Sequence, residues 1–410
     1  MEFVLRAGRE DHRVLAELTA PAAAGLRLAR AVPLSAVVSD APVAVERAQI
    51  RESAEAAGLP YLVDPMTFLL ADRQAPDQAW SRLPFAIHDQ VRASDLDNAD
   101  IQDELIDRVI EFQRRHGATM LIPPYLYLPR LDDGWLRVQL SLLRRTARYL
   151  DSHQIGLPVV PIVAASLRQF GTKASWRAGV DPLISACADL NVRFIGLSFS
   201  WNKQGDDSID TLTALLSTTQ HAATQGRILG WRHGLYGAAE VAAGAVGYET
   251  GAAQFERSIY PSMMRNRRPR TALREQQGGA GAYVYLQNFG RSIRRSEAAA
   301  LFGDAATKAA ILCSDEGCCP NGATSMSIQW RQHAVRSRYA ELAALDEMPA
   351  QAAWRLNKIA RDADRAADIA RTANDVLLAA GINRHLPEHS FTHLARSADA
   401  IRAQVRASVA

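Results

Sequence analysis

RILGWRHGLYGAAEVAAGAVGYETG, residues 227–251, holds one full unit of the pattern that decides the fold. Ile228–Trp231 is a short apolar run and reads as a strand. Ala245–Tyr248 is a second. The residues between them suit a helix, so the unit is strand, helix, strand. The same alternation extends outward in both directions. Val32–Val38, Tyr61–Val63, Met120–Leu126, Val159–Ala164 and Phe194–Phe199 are further strand candidates. Amphipathic stretches separate them, among them Asp100–His116, Leu136–Ser152 and Ser208–Gln225. The N-terminal MEFVLRAGRED reads as one more strand followed by a charged turn. Strands that are almost wholly apolar belong to a parallel sheet covered on both faces. Six or more such units favour a (β/α)₈ TIM barrel over an open doubly wound sheet. No GxGxxG or GxxxxGK[ST] motif accompanies the strands, which weakens a nucleotide-binding alternative.

The alternation is interrupted near Gln276, where Gly278, Gly279 and Gly281 form a hinge. The expected organisation is therefore an α/β barrel core over residues 1–275, an inserted C-terminal lobe over 276–345, and helices over 346–410 that pack on the barrel. At 410 residues the chain is long enough for this. Its 48% hydrophobic and 22% charged content is that of a soluble globular protein. No run of eighteen apolar residues and no signal-peptide pattern is present, so no membrane partner is expected. Four cysteines without such a signal argue for a reducing compartment, with the cytoplasm as the expectation.

Three of the four cysteines lie within seven residues, at Cys313, Cys318 and Cys319, and His333 follows fourteen residues later. Three thiolates and one imidazole make the ligand set of a closed tetrahedral zinc site. With all four positions filled by protein, the Zn²⁺ would be structural and not catalytic. Pro320, Asn321 and Gly322 let the chain turn after the cysteine pair.

Net charge is only +3, but it is unevenly placed. Between Arg257 and Arg295 stand nine arginines against the single acid Glu275. Arg257, Arg265, Arg267, Arg268, Arg270 and Arg274 form the dense part, with tyrosines interleaved further along. Arginine at this density suits phosphate groups and points to nucleic acid.

In a barrel, chemistry collects at the C-terminal ends of the strands. Asp64 follows YLV and is placed for acid, base or nucleophile work; a helix N-cap is the competing role. Glu249 follows AVGY, with Gly247 and Gly251 allowing close approach of a ligand to the backbone. Ser198, Ser200, Trp201, Asn202 and Lys203 end another strand and suit a planar polar ring. Tyr125 and Tyr127 follow two prolines, one reading as pocket and the other as packing. His233 reads as structural.

In order and spacing these pieces resemble the tRNA-guanine transglycosylase superfamily, over roughly Tyr61 to Ala380. YLVDPMTF resembles the early strand carrying a catalytic aspartate. VVPIVAAS resembles the strand that ends Ile-Val-Gln-Gly-Ser. FIGLSFS falls where a Gly-Gly-Leu strand binds the base. The 227–251 stretch resembles a Met-Gly-Val-Gly segment, a helix and the nucleophile strand. The resemblance implies a (β/α)₈ barrel with a structural zinc lobe that exchanges guanine for a 7-deazaguanine base in nucleic acid. Glu249 falls on the nucleophile and Asp64 on the aspartate that handles protons. The arginines fall on a loop after the nucleophile, and Cys313, Cys318, Cys319 and His333 on the zinc ligands.

Departures are specific. Pro123 or Pro124 stands where the family has a base-reading aspartate, and Ala164 where it has glutamine. The nucleophile is glutamate, and Cys-x-Cys-x-x-Cys becomes Cys313-x₄-Cys318-Cys319. The branch that inserts 7-deazaguanines into DNA is the better match, which favours DNA over tRNA and leaves room for a partner protein and a homodimer. Two other classes compete. One is a barrel that binds nucleic acid without chemistry. The other is a glycosidase-like hydrolase using Asp64 and Glu249 as a carboxylate pair.

Overall fold

The computed structural model describes residues 1–19, 31–71, 78–87, 91–201, 207–252, 260–265 and 283–409. Eight strands form one parallel sheet: β1 Glu2–Arg6, β2 Ala36–Asp40, β3 Tyr61–Asp64, β4 Tyr127–Leu128, β5 Ile162–Ser166, β6 Ile195–Ser200, β7 Ile228–Gly230 and β8 Gly247–Gly251. Their order across the sheet is β3-β2-β1-β8-β7-β6-β5-β4. The first and last strands are neighbours, with Glu2 opposite Gly247 and Arg6 opposite Gly251. This is the strand order of a barrel cut between β3 and β4. The sheet curls, but its ladder does not close, and the expected closed barrel is corrected to an open one.

The break has a chemical cause. Met120–Leu126 was expected to be a strand. Only Leu121 makes a bridge, to Val159, and the ladder proper is confined to Tyr127 and Leu128 beside Ala164 and Ala165. Pro123 and Pro124 sit in the middle and carry no N–H to donate. Side chains take over. Gln113 accepts from Ile122 N–H at 2.8 Å and donates to Ile122 C=O at 2.8 Å. Gln139 accepts from Leu126 N–H at 2.7 Å and donates to Pro124 C=O at 3.3 Å. Thr67 Oγ1 accepts from Tyr125 N–H at 2.7 Å and donates to Tyr125 C=O at 2.8 Å. At the bottom of the gap the two edges touch, where Thr119 N–H donates to Tyr61 C=O at 2.8 Å. Gln113→Leu therefore strands a buried donor and a buried acceptor at once. It is expected to cost about 2–4 kcal/mol, measured as a lowered urea midpoint at unchanged slope.

The other strands form where the apolar runs placed them, shifted by a few residues. The helices Ala99–Arg115, Trp135–Ser152 and Ile209–Ala223 fall on the three amphipathic stretches. Asn98 and Ser208 cap two of them by accepting backbone N–H groups with their side chains. Every residue of β1, β3, β5, β6, β7 and β8 is buried, so helices and loops cover both faces of the sheet.

A second apolar core lies beyond the sheet. The antiparallel hairpin β9 Tyr283–Leu286 and β10 Arg291–Arg294 contributes Val284, Leu286 and Ile293. Leu301, Ile311 and Met326 come from the short helices that follow, and Cys318 and Cys319 lie in the same cluster. Helix Ala352–Ala379 serves both cores. Leu356, Ile359 and Ala360 join the main one, and Ala366, Ala367, Ala370, Ala373 and Leu377 join the second. The alanines recur at three- and four-residue spacing, which lets helix Glu388–Val409 pack closely against it. That last helix is pinned to the segment leading into Ile209–Ala223. Ser390 Oγ donates to Asp207 at 3.0 Å, and the His393 ring lies 2.7 Å from Asp207 C=O. Among the described residues, no helix is long and apolar enough to cross a membrane.

Candidate active site and metal centre

Asp64 and Glu249 are brought together towards the C-terminal end of the sheet through Arg6. Asp64 is the last residue of β3, and Glu249 lies inside β8 one strand beyond β1. Both side chains have no solvent exposure. Two arginines that sequence reasoning did not select join them. Arg6, the last residue of β1, donates from Nε to Glu249 Oε1 at 2.8 Å. Its Nη2 lies 3.3 Å from Glu249 Oε2 and 3.0 Å from Asp64 Oδ2. The nearest oxygens of the two carboxylates are thus no farther apart than the sum of those distances. Arg6 Nη1 also pairs with Asp40, the last residue of β2. Arg232, just after β7, reaches Asp40 Oδ1 at 2.7 Å and Asp64 Oδ2 at 2.9 Å through its Nη2. Among the described residues, three carboxylates and two guanidiniums at their formal charges sum to one negative charge.

The backbone is bent to serve it. Met66 and Arg232 have φ of 54° and 57°, a region costly for residues with a side chain. Each aims its own N–H at one of the carboxylates: Met66 at Asp64 Oδ1 at 2.9 Å, Arg232 at Glu249 Oε2 at 2.8 Å. Burial and the neighbouring Arg232 tend to lower the Arg6 pKa, but Glu249, Asp40 and Asp64 outweigh them and hold it above its ordinary value. The Arg6 guanidinium also lies over the Trp231 ring, 5.2 Å from its centroid.

Tyr125 belongs to this centre as a buried hydrogen-bond donor. Its hydroxyl donates to Asp64 Oδ1 at 2.9 Å, and its ring tilts against Phe68. Burial and the Asp64 charge push the phenol well above its usual range, so it stays protonated. Ser198 and Ser200 are buried on β6 and hold Tyr260. Tyr260 O–H donates to Ser198 Oγ at 2.8 Å, and Tyr260 N–H donates to Ser200 Oγ at 3.1 Å. The Tyr260 ring stacks on Tyr127 at 5.0 Å. Trp201 is 2% exposed and packs against His233 and Tyr236. Gly247 lies at the other end of β8, and the group that approaches it is the Glu2 backbone, where a Cβ would meet the carbonyl oxygen at 1.7 Å. Asn202, Lys203, Arg257, Arg267, Arg268, Arg270 and Arg274 lie outside the described residues, and Arg265 ends the short helix Tyr260–Arg265.

His233 is fully buried beside this network. Its Nδ1 faces both oxygens of Glu240 at 3.0 Å, and its Nε2 faces Phe199 C=O at 3.0 Å. With acceptors on both nitrogens the ring is held as imidazolium. Burial lowers its pKa, but Glu240 more than compensates and the net shift is upward from 6.5. A raised histidine contributes stability that is complete below its unfolded pKa of about 6.5 and is lost as pH rises through the folded value. The stability difference between the native protein and His233→Gln is therefore expected to be largest near pH 6 and to shrink towards pH 9. Urea unfolding of both proteins across that range measures it.

The sequence-predicted metal ligands do converge. Ligand atoms of Cys313, Cys318, Cys319 and His333 all lie within 4.8 Å of one another. Asp315 shapes the cysteine turn, accepting Gly317 N–H at 2.9 Å and Cys318 N–H at 3.2 Å with Oδ1, and Cys319 N–H at 2.8 Å with its carbonyl. The two adjacent sulfurs are 3.7 Å apart, and His333 Nδ1 lies 3.5 Å from Cys318 Sγ and 3.3 Å from Cys319 Sγ. A tetrahedral ion with metal–sulfur bonds of about 2.3 Å needs sulfur–sulfur edges of about 3.8 Å and sulfur–nitrogen edges of about 3.5 Å. The donor set fits a metal. His333 Nε2 faces Tyr285 C=O at 2.8 Å, which fixes the tautomer with Nδ1 open to a cation. The S–H groups of Cys318 and Cys319 hold the Cys313 thiol far below its usual range, so one thiolate is already favoured.

Helix Trp330–Asp346 carries His333 into the Cys/His cluster and Arg338 to the face of β8 opposite Glu249. Arg338 pairs with Thr250, next to Glu249, and lies over the Tyr285 ring at 4.5 Å.

Arg6, Asp40, Arg232, Tyr260 and Glu240 are the residues that sequence reasoning missed. The available signal was position: Arg6 and Asp40 are charged residues that end apolar runs, as Asp64 does.

No protein-family model matches the chain, and no curated protein matches it. Among solved structures, nitroalkane oxidase from Streptomyces ansochromogenes aligns over 100% of this chain and 97% of its own at 12% identity. The TM-score is 0.27, a likeness too slight to carry an argument about fold or activity.

Proposed function

We propose that the protein is a nucleic-acid base-exchange enzyme, a pentosyltransferase similar to guanine transglycosylases, that replaces guanine with a 7-deazaguanine derivative. The observation that carries the reading is the pair Asp64 and Glu249, joined through Arg6 on the rim where parallel strands end. Cleavage of an N-glycosidic bond builds positive charge on the sugar, and a network of net negative charge stabilises it. The sequence resemblance gives Glu249 the nucleophile's place. The anionic network sets the field, and Tyr125 and Arg232 fix Asp64 for proton handling. The target nucleotide has to leave its stack to reach this rim.

DNA is the favoured polymer on the resemblance; the arginine-rich segment supports nucleic acid of either kind, and binding through it weakens steeply with salt. The metal is proposed to be zinc, since three sulfurs and one imidazole whose ligand atoms lie within 4.8 Å of one another suit it, with a role in folding the lobe.

The test is incubation of the purified protein with duplex DNA, single-stranded DNA and tRNA carrying labelled guanine, together with candidate 7-deazaguanines. Loss of label with appearance of the new base in one polymer is expected, and Glu249→Gln abolishes it while leaving binding intact. Salt-sensitive binding with no exchange in any polymer would make the protein a binder. Release of base without incorporation would make it a hydrolase.

A further inference from the structure

Of the three carboxylates in the buried network, only one meets solvent. The side chains of Asp64 and Glu249 have no exposure, whereas that of Asp40 is 14% exposed. The difference bears on bond formation, because a nucleophilic oxygen must come within contact distance of the sugar carbon. Glu249 Oε1 is held by Arg6 Nε, and Oε2 by the Arg232 amide and Arg6 Nη2. Asp64 Oδ1 accepts Tyr125 O–H and Met66 N–H, and Oδ2 sits between the two guanidiniums. Both are fully enclosed, whereas Asp40, which is also paired with Arg6 and Arg232, is not. Asp40 ends β2 on the same rim and is the carboxylate through which the network reaches outward.

Resting on the base-exchange reading above, we propose that Asp40 is the nucleophile, and that Glu249 and Asp64, instead of the nucleophile and proton carrier that the resemblance makes them, are the buried anions that position Arg6 and Arg232 around it. An Asp40 carboxylate oxygen forms a bond to the anomeric carbon as the carbon–nitrogen bond to guanine breaks. The bonding pair departs with guanine, which takes a proton from water. The incoming base loses its ring N–H proton to water and attacks the same carbon, and the ester oxygen leaves with its electron pair. No oxidant or reductant is needed, and the proton taken up in the first half is returned in the second. Arg6 and Arg232 act in both halves. They keep Asp40 ionised before attack, and they stabilise the carboxylate as a leaving group afterwards.

The test uses the intact protein and oligonucleotides, both DNA and RNA, that carry guanosine with a 2-fluoro sugar, which slows breakdown of a glycosyl ester. The reaction is run without incoming base, quenched in acid, digested and mapped by mass. An adduct on the peptide containing Asp40 is expected, and Asp40→Asn is expected to lower exchange of ordinary substrate by at least about 10³-fold with polymer binding retained. An adduct on Glu249 or Asp64 overturns the assignment to Asp40 and keeps the base-exchange reading. Exchange by Asp40→Asn at the native rate also overturns it. Absence of both exchange and adduct in every polymer overturns the base-exchange reading itself. Mapping on the native protein does not depend on whether the variant folds.

Discussion

Replacing Arg6 by methionine is expected to destabilise the protein by about 3–5 kcal/mol, because it leaves carboxylates buried without their counter-charge. Arg6 is 1% exposed and touches Glu249, Asp40 and Asp64. Among the described residues its removal leaves Arg232 facing three acids, and their formal charge goes from one negative to two. Methionine fills much of the volume, so the loss reports charge rather than a cavity. Arg6→Lys is expected to fall between. It keeps the charge but cannot bond two carboxylates with a planar fork. Urea unfolding at pH 7 measures both. A loss below about 1 kcal/mol for the methionine variant would show that the carboxylates shed their charge by taking up protons instead.

Purified protein is expected to hold one metal ion per chain, and Cys319→Ser or His333→Ala is expected to hold none. The loss should be large. Structural zinc in small domains contributes about 10–16 kcal/mol of folding energy near neutral pH. Cys318 and Cys319 are 2% and 4% exposed within the second core, beside Leu286, Ile311 and Met326. Without an ion, the buried Cys318 and Cys319 sulfurs and the His333 Nδ1 face one another instead of a cation. Elemental analysis gives the stoichiometry, and thermal unfolding with and without a chelator gives the stability. A protein that binds no ion and melts at the same temperature after chelation would sink the metal assignment.

Legibility in the sequence followed the range of the interactions. The Cys/His cluster was readable because Cys313, Cys318 and Cys319 lie within seven residues and His333 is on the next long helix. Most strands were readable because burial on both faces writes itself as an apolar run. Met120–Leu126 misled because it is apolar and buried but carries two prolines, and the hydrogen bonds that replace its ladder come from Gln113, Gln139 and Thr67, which no periodicity singles out. Asp64 and Glu249 stood out as acids at strand ends. Their partners did not, because Arg6 meets Asp40 across 34 residues and Glu249 across 243. Pairings at that distance are set by sheet order, and the sequence has no local mark for them. The arginine-rich stretch from Arg257 to Arg274 is the reverse case, loud in composition but lying almost wholly outside the described residues.

Helix Ala352–Ala379 runs 28 residues, about 42 Å, and lends its first half to one core and its second to the other. A rod shared in this way transmits failure. Melting either half exposes apolar surface that the other half's neighbours cannot cover, so the two bodies have no separate thermal lives and should show one calorimetric transition. A chain cut before the helix would lack a wall of both cores at once. The protein is therefore expected to resist dissection: a change that loosens the second core should lower the single transition of the whole chain.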